Sequence, residues 1–241
     1  MVLHAIAQLV AAVAVVAAAG ALGGGLVMVI VAAFVVLVAV TIRLGFARFA
    51  NAMFRFGRMD EARRYYQVLA WVAWRRSRRA AARVSIAATF VGAGEYRRGL
   101  ALLAAIDPAP LEPSTRAGWL NNRAYATLRT GARGAAAEAA LADVRAALAL
   151  YADVPALLHT EGLALLACQR TDEAIAHFEA LWERGDLSPR LDAERCDDLA
   201  QAWNTRGESA YADDYRRRAR AAVPSAPWRR DPTGDDAAML A

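Results

Sequence analysis

The sequence predicts an all-α protein: an N-terminal transmembrane helical hairpin, or a single span, followed by a solenoid of about five helix pairs. Three observations predict it. Residues 1–42 contain no Asp, Glu, Lys or Arg. From residue 43 onward Ala, Leu, Arg and Glu dominate, and no run alternates with the period of two that a half-buried strand needs. Related decapeptides then recur down the chain: GRMDEARRYY, GEYRRGLALL, GARGAAAEAA, QRTDEAIAHF and GESAYADDYR, beginning at Gly57, Gly94, Gly131, Gln169 and Gly207.

The apolar N-terminus comes first. As one helix, residues 1–42 would extend roughly 63 Å, about twice the hydrocarbon core of a bilayer. The cluster GALGGG, Gly20 to Gly25, interrupts it, and glycine is costly inside a helix and permissive in a turn. A hairpin fits: a span over about 2–19, a turn at 20–25 and a second span over about 26–42. The second half, LVMVIVAAFVVLVAVTI, is a strong span. The first is half alanine and carries His4 and Gln8, so it fits a span, a half-buried helix or a helix packing its small residues on a neighbour. A cleaved signal peptide would need a basic n-region and a much shorter apolar core. Cytoplasmic flanks carry excess arginine, and Arg43, Arg48, Arg55 and Arg58 follow the second span. One span or two, residues 43–241 are expected in the cytoplasm, on a bacterial inner membrane.

Charge separates the next segment from the rest. Residues 43–83 hold eleven arginines against Asp60 and Glu61, whereas 84–241 hold eighteen against twenty-two acids. Every basic residue is arginine, a bias that fits a GC-rich genome better than selection for phosphate-binding forks, because the arginines are scattered. A nucleic-acid binder would carry its basic face through the whole domain, so no nucleic acid is expected.

The repeat frame follows. The first residues of the five decapeptides are separated by 37, 37, 38 and 38 residues. Each is expected to close the turn between a helix A and a helix B. Five residues later stands a small one, Ala62, Gly99, Ala136, Ala174 and Ala212. Seven residues earlier stands another, Ala50, Ala87, Ala124, Gly162 and Ala200. These small residues are expected to let A and B approach. Large apolar residues fill the space around them: Phe46, Phe49, Met53 and Tyr66; Ile86, Phe90 and Leu103; Leu158, Leu165 and Phe178; Leu199 and Trp203. One pair cannot bury its apolar face alone, so the pairs stack. DPAPLEPS, Asp107 to Ser114, is a loop between pairs two and three. The tail 225–241 is Pro-rich and charged, and is expected to be disordered.

This pattern resembles the tetratricopeptide repeat (TPR) family over about 43–224. The fourth unit carries the resemblance best: LHTEGLALLACQRTDEAIAHFEALW, Leu158 to Trp182, has Gly162, Ala174 and Phe178 in the family's places. Pro224 stands at the closing-proline position. The period exceeds the family's by three or four residues, Gln169 replaces a turn glycine, and the second helices of units two and three are weak, with Gly99 and an alanine run.

The resemblance implies protein binding in a concave groove lined by the A helices. Its groove positions fall on Arg48, Asn51 and Arg55; Asn121, Asn122, Tyr125 and Arg129; His159; and Asp197, Gln201 and Asn204. They fit an extended peptide held by amides and arginines, or an ordinary solvated face. Val84, Ala88 and Val91 make the groove of unit two apolar. Ala47, Ser85 and Gly118 stand where a carboxylate clamp would need basic or polar groups, so no chaperone partner is implied. The alternative is a structural subunit of a larger membrane complex, its hairpin packed on other spans.

No catalytic chemistry is legible. There is no HExxH, GxSxG or GxxxxGK[ST] motif, and no enzyme, cofactor, metal or small-molecule substrate is expected. Cys168 and Cys196 read as two buried thiols, and His177 as an exposed helix residue. Glu194, Asp197 and Asp198 read as charge at a helix N-terminus. One stretch remains, WVAWRRSRR from Trp71 to Arg79. In the repeat frame it is the turn out of unit one, with Trp74 at a closing-proline position. Either Trp71 and Trp74 pack between units one and two, or Trp71, Trp74, Arg75, Arg76, Arg78 and Arg79 meet the lipid of the inner leaflet.

Overall fold

The computed structural model describes residues 25–224 and Ala226. The expected first span, most of the glycine turn and most of the tail lie outside these residues. Ten α-helices are described: α1 Gly25–Arg55, α2 Met59–Val72, α3 Arg76–Gly92, α4 Tyr96–Ala104, α5 Pro113–Arg129, α6 Ala135–Leu150, α7 Pro155–Ala167, α8 Thr171–Glu183, α9 Pro189–Thr205 and α10 Ser209–Ala222. They form the five expected pairs. Each helix packs on the next, and the first helices α3, α5, α7 and α9 also stack on one another in order. The result is an α-solenoid.

The second expected span, 26–42, falls within α1, but the side chains of 26–29, 35–37 and 39–44 lie outside the described residues. Among the described residues no helix is long and apolar enough to cross a membrane.

The repeat frame has a direct backbone counterpart. Gly57, Gly94, Gly131 and Gly207 all adopt left-handed φ, between 75° and 90°. Gln169 takes the same conformation at φ 63°, alone among the described non-glycine residues. A left-handed residue there lets the chain reverse after one open turn, as in Glu95 N–H donating to Phe90 O and Arg170 N–H to Leu165 O.

Close approach follows from the small residues. Ala50, Ala62, Ala87, Ala124, Ala174 and Ala212 are fully buried, and Ala200 is nearly so. A Cβ on Gly162 would stand 2.6 Å from Phe178 Cε1, and one on Gly99 2.6 Å from Val91 Cγ2. Phe178, itself fully buried, occupies the space that Gly162 leaves, and burying such a ring is worth about 1.5–3 kcal/mol. Unit three departs from the frame. A second left-handed glycine, Gly134, lengthens its turn, so α6 starts late; Ala136 is exposed and Ala137 takes the buried place.

Two further expectations are corrected at the edges. Phe49 is 57% exposed, stacked on Tyr65 at 6.2 Å, because among the described residues no helix pair stands before unit one to cover it. The loop before α5 is shorter than expected: Pro113 opens the helix, which has no use for that residue's N–H. Asp107 Oδ1 accepts from Ala109 N–H, Leu111 is buried, and Trp119 Nε1 donates to Leu103 O at 3.1 Å.

Candidate functional site

The concave face is built by α3, α5, α7 and α9, and its middle is filled by the protein's own side chains. Tyr125 and Arg129 lie one turn apart on α5, as do Glu194 and Asp198 on α9. Arg129 grips Asp198 with both nitrogens of its fork, Nη1 to Oδ1 and Nη2 to Oδ2, each at 2.8 Å. Tyr125 OH donates to Glu194 Oε2 at 3.2 Å. His159 from α7 enters between them, its Nε2 3.0 Å from Asp198 Oδ2 but off the line of a good hydrogen bond. At the far end Arg190 Nη2 donates to Gly92 O at 2.9 Å, which ties the start of α9 to the end of α3. Units two and five therefore meet across the inside of the curve.

Burial sets the electrostatics of this cluster. Burial alone would raise the Asp198 carboxyl, but Arg129 and His159 beside it hold it below its usual range. Burial likewise opposes the Arg129 charge, and Asp198, Tyr125 and Glu194 outweigh it, so the guanidinium is held firmly protonated. Burial pushes the Tyr125 phenol well up, only partly offset by Arg129. Tyr96 meets Tyr125 edge to face at 6.1 Å.

Of the expected groove residues, His159 is 1% exposed, inside the stack rather than on its surface. Tyr125 and Arg129 are half-buried and engaged as described. Asn122 Nδ2 donates to Gly118 O, and Asn51 Oδ1 accepts from Tyr66 OH at 2.6 Å, so both are turned to their own unit. Asn121 is half-buried, and its Oδ1 has no hydrogen-bond partner. Arg48 and Arg55 are exposed on α1, away from the cluster. Val84 and Val91 are buried against neighbouring helices of their own chain.

What stays open is the last pair. A cleft of about 360 Å³ is lined by Arg129, Asp197, Asp198, Gln201, Asn204, Arg216 and Arg220. It joins Gln201 and Asn204 to two arginines from α10, on a second helix, where no groove residue was expected. Arg216 is braced by Asp213 at 2.8 Å.

The roles of Glu194 and Asp198 on α9 were the main omission. Asp198 is 2% and Glu194 6% exposed, so they are not solvated helix-end charges. The signal for Asp198 was present: it stands two residues before Ala200, as Arg48 stands before Ala50 and Asn122 before Ala124. His177 is also corrected, since its Nε2 lies 2.8 Å from Leu158 O rather than free in solvent. Burial pushes both cysteine thiols up to about 11, with Glu138 adding to the effect at Cys168. Among the described residues no group of His, Cys, Asp and Glu could hold a metal ion.

The turn between α2 and α3 is settled on one point. Trp71 and Trp74 do not pack between units one and two; they are 68% and 78% exposed. Arg63 makes that joint instead, with Nε donating to Thr89 Oγ1 at 3.1 Å and its plane 3.7 Å over Phe90. Ala73, between the two indoles in sequence, is buried, while both indoles face solvent.

Solved structures are similar to this chain. A thermophilic TPR protein from Thermus thermophilus is 18% identical and aligns with a TM-score of 0.54, over 76% of this chain and 92% of that one. Nearly identical TPR-like repeats of a Podosopora anserina protein described as a kinesin light chain are 18% identical, with a TM-score of 0.48 over 74% and 92%. MamA is 16% identical, with a TM-score of 0.44 over 73% and 94%. The first of these establishes a TPR-like fold. Neither the family models nor the curated proteins contain a match to the sequence.

Proposed function

We propose that the chain is a membrane-anchored scaffold that faces the cytoplasm of a bacterial inner membrane and binds an extended segment of a partner protein. The binding site is the cleft between α9, α10 and Arg129. The observation that carries this reading is the contrast along the concave face: its middle is closed by the buried Arg129–Asp198 pair and the Tyr125–Glu194 hydrogen bond, and its last pair is open. A closed middle makes a rigid platform, and rigid presentation lowers the entropic cost of binding. Gln201 and Asn204 offer amide forks to a peptide backbone, and Arg216 and Arg220 offer charge to an acidic side chain. Anchoring is supported by the charge-free residues 1–42 and by the arginines that follow them.

The test is site-specific photocrosslinking in native membranes, followed by mass spectrometry. A photoreactive residue at Asn204 is expected to capture one protein that the same residue at Leu102, exposed on α4, does not. Arg220→Glu in the Asn204 background is expected to abolish that capture. Identical products from both positions, or capture that survives Arg220→Glu, would reject the cleft as the binding site. Arg129→Ala is not a useful probe of binding, because Arg129 also holds Asp198.

A further inference from the structure

The antiparallel pairing of α1 and α2 returns the turn at Trp71 to the height at which the charge-free segment ends. Phe46 on α1 meets Tyr65 on α2 edge to face, ring centroids 5.4 Å apart. Trp71 lies six residues beyond Tyr65, about 9 Å along α2 at 1.5 Å per residue. The same distance back from Phe46 along α1 reaches residue 40. The charge-free run ends at Ile42, and Arg43 is the first charge. Two exposed indoles and the arginines after them thus sit level with the last turn of the apolar segment, although they follow it by about thirty residues in sequence.

The chemistry of the turn fits that height. Trp71, Val72 and Trp74 are exposed, an apolar surface that the solenoid leaves bare. Among the described residues the ion pairs of this unit are Arg58 with Glu61 and Arg63 with Asp60 and Glu95; none of them uses Arg75, Arg76 or Arg78. Arg79 serves the turn itself, its Nη2 donating to Ala73 O at 2.9 Å. Indoles favour the headgroup level of a bilayer, where the ring is buried and the N–H is wet. Arginines beside them, in no ion pair among the described residues, favour anionic headgroups.

We infer that this turn is an interfacial foot: Trp71 and Trp74 insert at the headgroup level of an anionic leaflet, and Arg75, Arg76 and Arg78 bind its headgroups. The foot fixes the tilt of the solenoid on the membrane, because α1 alone would leave it free to swing. This inference rests on the anchoring proposed above. Each arginine contributes about fivefold to association with an anionic surface, so three contribute roughly a hundredfold.

The full chain tests it in phosphatidylcholine vesicles with and without phosphatidylglycerol. Flotation reports anchoring, and tryptophan quenching by lipids brominated near the headgroup reports the foot. The wild type is expected to float on both lipids. Its quenching is expected to exceed that of Trp71→Phe/Trp74→Phe, with a larger excess on phosphatidylglycerol that Arg75→Gln/Arg76→Gln/Arg78→Gln removes. Trp71, Trp74, Arg75 and Arg76 are exposed and Arg78 is half-buried, and none of the five lies in the core, so the variants are expected to keep the wild-type circular dichroism. Flotation on both lipids with quenching equal in wild type and the double phenylalanine variant overturns the foot and leaves the anchor standing. Flotation on phosphatidylglycerol alone, lost in the glutamine variant, supports the foot and overturns the anchor. No flotation on either lipid overturns both.

Discussion

Arg129 and Asp198 offer the sharpest test of how the inside of the solenoid is held. Their side chains are 11% and 2% exposed, the fork is bidentate at 2.8 Å, and His159 is the third member. Removing one partner strands a buried charge, which costs about 3–5 kcal/mol. For a chain of this size each kcal/mol lowers the melting midpoint by about 2–4 °C, so Arg129→Met or Asp198→Asn is expected to lose roughly 6–20 °C. Replacing both, as Arg129→Met/Asp198→Leu, removes the desolvation of both ions and is expected to sit well above the sum of the single losses. The assay is thermal unfolding of the full chain in mild detergent, followed by helical circular dichroism. The acid side adds a second reading. Asp198 titrates lower in the folded protein than in the unfolded chain. Its contribution is therefore complete above the unfolded carboxylate value of about 3.9 and fades as pH falls through the lower folded value. The advantage of wild type over Asp198→Asn is thus expected to shrink only at strongly acid pH. Single variants within about 1 °C of wild type, or a double variant that loses the full sum, would refute the account of a coupled, buried cluster.

The remaining expectations concern the repeat frame, and thermal unfolding reads them too. Gly162→Ala places a Cβ 2.6 Å from buried Phe178; overpacking of about 1–3 kcal/mol outweighs a helix gain of up to about 1 kcal/mol, so the midpoint is expected to fall. Gly118→Ala meets nothing within 4 Å and is expected to raise it, gaining up to about 1 kcal/mol. Gln169→Gly relieves a left-handed residue at φ 63°, worth about 1–2 kcal/mol, against an ordering cost of about 0.5–1 kcal/mol. A small rise is expected, and a fall would show that the Gln169 side chain does something the backbone account omits.

Helix pairing was legible because it is local. A left-handed turn residue, a small residue five positions on and another seven back are constraints within one unit, and they repeat at every unit. Ala136 shows the limit of such reading: one more glycine, Gly134, shifted the helix start, and Ala137 took the buried place. Arg48 and Arg55 show another limit: the frame gives a position on a first helix, and only the fold shows that these two stand exposed on α1, away from the Arg129–Asp198 cluster.

The sequence by itself determined the all-α solenoid, its five turns and the charge-free segment before it, because each depends on periodicity or composition. Only the tertiary structure decided that Arg129 meets Asp198 across 69 residues and that Arg190 reaches Gly92 across 98. It also decided that Trp71 returns to the level of residue 40. Those contacts depend on how far the stack curves and on which helix lies antiparallel to which. Curvature is the sum of small rotations between units, and no single unit encodes it.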